Sequence, residues 1–135
     1  MRCTVHRATI AIVGAVLLAA TISSIAGAAT SPFAGRWTST DPDDGSAQAL
    51  LVSAGSAPSV TFQDYLASTC ENHGSPATQW TSAGRGEIDG DTLYVSFHKS
   101  GCGSFSIGQY SDWYVYDPGD DTLTDSFGIV WQRNP

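Results

Sequence analysis

Residues 92–98 read Thr92-Leu93-Tyr94-Val95-Ser96-Phe97-His98. Leu93, Val95 and Phe97 alternate strictly with Tyr94, Ser96 and His98. A period of two puts the apolar set on one face of a β-strand and the polar set on the other. Asp89-Gly90 stands just before this stretch, and Asp-Gly is a hairpin dipeptide, because the tight turn that suits twisted strands needs positive φ. Thr78 to Ile88 leads into that turn as the preceding strand. The centre of the chain is therefore read as an antiparallel hairpin.

The same grammar extends in both directions. Upstream, the expected strands are Ala34–Thr40, Ala47–Ser53 and Ser59–Leu66. Asp41-Pro42-Asp43-Asp44-Gly45 and Gly55-Ser56-Ala57-Pro58 separate them. A loop from Ser68 to Ala77 carries Cys70. Downstream come a turn at Gly101-Cys102-Gly103 and a strand from Phe105 to Tyr116, with Gly108 as a candidate interruption. Thr122–Asp125 and Phe127–Arg133 follow. Short strands rich in Val, Ile, Thr and aromatics, broken every 8–14 residues by Gly, Asp, Pro and Ser, are the pattern of an antiparallel sandwich or barrel. Eight strands with short connections make an up-and-down meander, and closing it into a barrel removes its two bare edges. The expectation is an all-β, eight-stranded antiparallel up-and-down barrel.

The first 28 residues read differently. Arg2 and Arg7 precede an uncharged apolar run, Ala8 to Ala20, and Ala26-Gly27-Ala28 forms a small-x-small site. This is the tripartite pattern of a secretory signal peptide, so 1–28 is expected to be a leader and 29–135 one β domain, secreted from the cell. That domain holds four basic residues (Arg36, Arg85, Lys99, Arg133) against 13 acidic ones, a formal charge of −9. Such a surface repels phosphate backbones and anionic lipid, which argues against nucleic acid or a membrane as partner. Cys70 and Cys102 remain after leader removal. In an oxidising compartment two cysteines read as one disulfide, and closing a loop of about 33 residues is worth roughly 3–4 kcal/mol. With His73 and His98 they match no zinc-finger order or spacing.

Phe33-Ala34-Gly35-Arg36-Trp37 near the start and Val130-Trp131-Gln132-Arg133 near the end carry a further signal. A Gly-x-Trp in the first strand with an Arg in the last resembles the lipocalin and avidin-like (calycin) β-barrels. The resemblance implies that Trp37 plugs one end of the barrel with Arg133 across its ring, an arrangement favoured by cation–π attraction. The compact avidin-like version fits the chain length better than a typical lipocalin, and the biotin-binding motifs of avidins are not visible. The start, the strand count and the single disulfide are also similar to small secreted inhibitors of bacterial metalloproteases. That likeness implies a protein-binding trunk at Ala29-Thr30-Ser31-Pro32.

No nucleophile elbow and no His-Glu-x-x-His occurs, and Asp112, His98 and a serine are the only weak prospect of a catalytic set. Asp41-Pro42-Asp43-Asp44-Gly45-Ser46 places carboxylates like a calcium loop but lacks its glycine and glutamate positions. No cofactor or metal is expected. Phe62, Leu93, Val95, Phe97, Trp113 and Val115 are assigned to the core. Trp80, Tyr94, Tyr114 and Tyr116, with His98, are left as candidate ligand-binding residues, since Tyr and Trp join an apolar body to a polar tip. The function expected is a monomeric, non-enzymatic barrel binding a small amphipathic ligand. The alternatives are an inhibitor of an extracellular protease and a carbohydrate-binding platform.

Overall fold

The computed structural model describes residues 30–72, 74 and 78–135. The leader expected at 1–28 lies outside them, as do Ala29 and His73. The elements are β1 (Gly35–Thr40), β2 (Ala47–Val52), β3 (Ser59–Tyr65), α1 (Ser68–Asn72), β4 (Gln79–Asp89), β5 (Thr92–Cys102), β6 (Phe105–Ile107), β7 (Tyr110–Asp117), β8 (Thr122–Asp125) and β9 (Val130–Asn134). Every strand pairing is antiparallel. Successive strands pair in order, and β1 with β9 closes a ring of eight that runs β1-β2-β3-β4-β5-β7-β8-β9. β6 is a short addition beside the far end of β5. The eight-stranded up-and-down barrel read from the sequence is the fold, and no sheet edge runs its full length open.

The strand expected over Phe105–Tyr116 is two strands, β6 and β7, separated at Gly108-Gln109. β5 runs on to Cys102, so the turn lies at Gly103-Ser104 rather than around Cys102. The last strand starts at Val130, because Phe127–Ile129 belongs to a loop held by Asp125. The loop expected at Ser68–Ala77 begins as one helical turn. The Ser68 N–H that opens it donates to the Asp44 carboxylate at 3.0 Å, a long-range equivalent of an N-cap.

One irregularity sets the phase of the longest hairpin. Ala83 pairs with Lys99 but Gly84 pairs with Phe97, so His98 is an extra residue on β5. Before this bulge the odd residues Leu93, Val95 and Phe97 face inward. After it the even residues Ser100 and Cys102 do, while His98 and Lys99 both face out. A bulge inserts one residue and shifts the alternation by one. Gly84 is required opposite it, since a Cβ there would run into the Ser96 carbonyl.

The core is built from inward positions of seven of the eight barrel strands, with half-buried Ile88 of β4 packed against it. Trp37, Leu50, Val60, Leu93, Phe97, Tyr114, Leu123 and Trp131 are buried together with Phe33. A second cluster outside that layer joins Ala67, Trp80 and the Cys70–Cys102 disulfide, with Phe105 and Phe62 packed against it. The bridge ties α1 to the end of β5. Among the described residues no helix is long and apolar enough to cross a membrane, and the disulfide is compatible with an extracellular protein.

The two barrel ends differ. At one, Trp37 Nε1 donates to the Phe33 carbonyl at 2.8 Å, and Tyr116 packs edge-on against both Trp37 and Phe33. Arg133 lies over the Trp37 ring and caps the stack. This end is sealed. The other end, where the β1–β2 and β8–β9 loops lie, is a cup.

Candidate functional site

The cup has a volume of about 450 Å³, within the range of small-molecule sites. Its floor is aromatic. Trp131 meets Phe62 and Tyr114 edge-on at centroid distances of 6.0 and 6.2 Å, and Tyr110 stacks on Phe97 at 4.8 Å. Tyr110, Asp112 and Tyr114 are successive inward residues of β7, and Gln48 is the first inward residue of β2.

Two loops form the rim, and each is organised by an aspartate. Asp125 accepts the N–H groups of Phe127 and Ile129 on Oδ1, at 3.0 and 2.9 Å, and the Trp131 Nε1–H on Oδ2 at 3.1 Å. Those bonds hold Phe127, 82 % exposed, and Ile129 at the edge of the cup. Across from them, Asp41 accepts the Asp43 N–H at 2.7 Å and the Gln48 Nε2–H at 3.1 Å. Asp44 accepts N–H groups from Ser46 and Ser68, and these bonds hold its carboxyl far below the usual carboxylate range. Two of the three carboxylates of this calcium-like stretch, those of Asp41 and Asp44, are thus engaged by backbone N–H groups, and among the described residues no group of three His, Cys, Asp or Glu is arranged to hold a metal ion.

Electrostatically the cup is one-signed. Asp41, Asp43, Asp112 and Asp125 line it, and none of the four basic side chains of the described chain does. Burial, then the charge of Asp112, pushes the Tyr114 phenol well above its ordinary value, with Tyr110 and Asp125 adding to it. The Tyr110 phenol also rises, mainly through burial. Behind the wall Asp64 is raised by burial, against the hydrogen bond that Ser46 donates, with the charges of Asp41 and Asp44 adding to the rise. Gln48 is only 5 % exposed, and its Oε1 has no hydrogen-bond partner.

The residues singled out from the sequence do not gather in one place. Tyr114 lines the cup. Trp80 lies in the disulfide cluster, donating from Nε1 to Ser82 Oγ at 2.9 Å. Tyr116 belongs to the sealed end, donating from its hydroxyl to Asp121. Tyr94 and His98 point outward from β5. The core assignment of Trp113 and Val115 is corrected. Trp113 is 47 % exposed and Val115 is exposed too, whereas Tyr114 is 1 % exposed. The cause is register: Tyr114 pairs with inward Leu93, and Trp113 with outward Tyr94. Cross-strand partners share a face, and the register therefore turns the Tyr110–Asp112–Tyr114 face of β7 into the barrel. Asp112 lines the barrel interior while His98 faces out, so a catalytic set of these two does not assemble.

Sequence reasoning missed Gln48, Asp125, Phe127 and Ile129 as cup residues. The available signal was Gln48-x-Leu50-x-Val52, a polar residue in phase with a core stripe. No known protein family, curated protein or solved structure matches this chain.

Proposed function

We propose that this chain is a secreted, non-enzymatic barrel that binds a small amphipathic molecule in its open cup. The observation that carries the reading is the cup itself: about 450 Å³ of space over an aromatic floor, with a few polar groups in the wall. That composition is the usual one for a small-molecule site. The calycin-like ends of the chain, Gly35-x-Trp37 and Arg133, support the same reading, since one sealed end makes the barrel a vessel. The test is calorimetric titration with a neutral aromatic alcohol. Saturable binding that weakens several-fold in Phe127→Ala, with unchanged melting behaviour, supports the proposal. No saturable binding overturns it.

One observation favours a second reading, a carbohydrate platform. Tyr94, 51 % exposed, and Trp113 are directly paired neighbours on the outer face of β5 and β7. Adjacent exposed rings suit stacking on sugar rings. Retardation of the protein in oligosaccharide-containing gels, abolished by Trp113→Ala and untouched by Phe127→Ala, would select this reading. For a protease inhibitor the trunk must reach a partner, and its last residue is already engaged: the Pro32 carbonyl accepts Arg133 Nη2–H at 2.6 Å.

A further inference from the structure

On the outer face of β4, β5 and β7 two neighbouring rows of side chains differ in chemistry. Glu87, Tyr94 and Trp113 form one row, each paired with the next across the strands, and Arg85, Ser96 and Ser111 form the other. All six are exposed. Same-face neighbours along a strand stand about 7 Å apart, so the aromatic pair lies directly beside the polar row. There the surface dips into a groove of about 440 Å³, and Arg85, Ser96, His98, Gln109 and Ser111 are the polar residues that line it. The bulge extends the polar side, because it turns both His98 and Lys99 outward, with Lys99 opposite Ala83 and so next to Arg85 on that face.

The charge here is opposite to that of the rest of the molecule. No carboxylate lines the groove, whereas four aspartates line the cup. Arg85 and Lys99 are two of the four basic residues of a domain whose formal charge is −9. Among the described residues neither has an ion-pair partner, and the pair formed by Arg133 and Asp121 is at the sealed end. The two rows suit different parts of one ligand. Exposed rings take the apolar face of a sugar. A guanidinium beside them takes a carboxylate through parallel N–H donors. Glu87, opposite Tyr94, repels an acid from the aromatic row and so decides which row receives it. A densely charged polyanion is opposed by the field of the whole domain, which favours a ligand with an acid beside a neutral ring.

We infer that this outer face binds an acidic oligosaccharide in which a uronate alternates with a neutral sugar. The neutral ring lies on Tyr94 and Trp113. The uronate carboxylate is held by Arg85, with Lys99 adding charge and Ser96, Gln109 and Ser111 meeting sugar hydroxyls. The inference rests on the platform reading of Tyr94 and Trp113, adds the charge of the sugar, and is independent of the cup.

The test compares two hexasaccharides on the purified protein by titration calorimetry, at neutral pH and low salt so that surface charges are little screened. One alternates glucuronate with N-acetylglucosamine. The other is the same chain with its carboxylates reduced to primary alcohols. The acidic chain is expected to bind about tenfold tighter, the increment of one charged hydrogen-bonded contact at a surface. The field of the whole domain works against the acid, so this preference reports local charge. Arg85→Gln should remove most of the preference and leave the reduced chain's affinity as it was, and Arg85→Lys should restore part of it. Trp113→Ala should abolish binding of both chains. These positions are exposed, and an unchanged melting temperature checks the fold of each variant. Equal binding of the two chains, lost in Trp113→Ala, overturns the inference and leaves a neutral-sugar platform. A preference that survives Arg85→Gln and Lys99→Gln together also overturns it, since the acid is then read elsewhere. Binding lost in Phe127→Ala but kept in Trp113→Ala puts the sugar in the cup and overturns it as well. If neither chain binds, the platform reading fails and the inference with it.

Discussion

Arg133 lies with its guanidinium carbon 4.0 Å from the centroid of the Trp37 ring. The same side chain donates from Nη1 to the Ala34 carbonyl at 2.8 Å, from Nη2 to the Pro32 carbonyl, and from Nε to Asp121. One residue of β9 thus fastens the segment before β1, the first strand and the β7–β8 turn across the seam where the barrel closes.

Trp37→Ala is expected to be among the most damaging substitutions, costing about 3–5 kcal/mol as a buried aromatic truncation. Arg133→Ala should cost less, about 1–2 kcal/mol, because part of its side chain is in water and its ion pair with half-exposed Asp121 is screened. The double variant should fall short of the sum by at least about 0.5 kcal/mol, since the residues share one contact. Urea denaturation of the four proteins measures this; strict additivity would mean the stack contributes nothing to closure.

Gly35→Ala should destabilise by roughly 1–3 kcal/mol, although it adds one methyl group. Gly35 has φ of +134°, and an added Cβ would stand 3.1 Å from Arg133 Nη1. Side-chain-bearing residues rarely adopt that backbone conformation, so both backbone and cap must shift. A stability loss with a changed chemical shift of the Trp37 indole N–H is the expected pair of readouts. An unchanged protein would show that the glycine is incidental.

Cys70→Ser should cost about 2–5 kcal/mol and leave one titratable thiol on Cys102. The bridge spans 32 residues of sequence and holds α1 against the end of β5. Thiol titration of the denatured wild type should find none in residues 29–135.

Two carboxylates give opposite dependences on pH. Asp121 is lowered, first by the Arg133 hydrogen bond, so its contribution is present above the unfolded value of about 3.9 and is lost as pH falls through the folded one. Asp64 is raised, first by burial. Between about 3.9 and its raised value the folded state holds the proton more tightly, so stability falls as pH rises through that window. Asp64→Asn removes only the second effect. Relative to wild type the variant should therefore do better at pH 7 than at pH 3.5, in denaturation curves recorded at both. A pH-independent difference would mean that ionised Asp64 is not penalised.

Barrel, strand order and disulfide were legible because they rest on local signals: period-two alternation in Leu93–Phe97, the Asp89-Gly90 turn and a cysteine pair. The phase of β7 was not. Trp113 and Val115 are more apolar than Asp112, so hydrophobicity alone sends them inward, whereas pairing with β5 sends them out. Phe127 and Ile129 read as strand residues until the three donors gathered by Asp125 are seen. The cup was hidden for a related reason. It is assembled from β2, β3, β7, β8, β9 and two loops, and only the register between them sets Gln48 and Asp112 on facing walls of one space.

The bulge at His98 has a consequence for how the chain becomes oxidised. Were β5 to continue past Phe97 in unbroken alternation, Cys102 would fall on the outside of the sheet, away from Cys70. In a formed β4–β5 hairpin, that one-residue offset is what sets Cys102 on the side of Cys70. Once formed, the disulfide therefore locks the offset pairing in place.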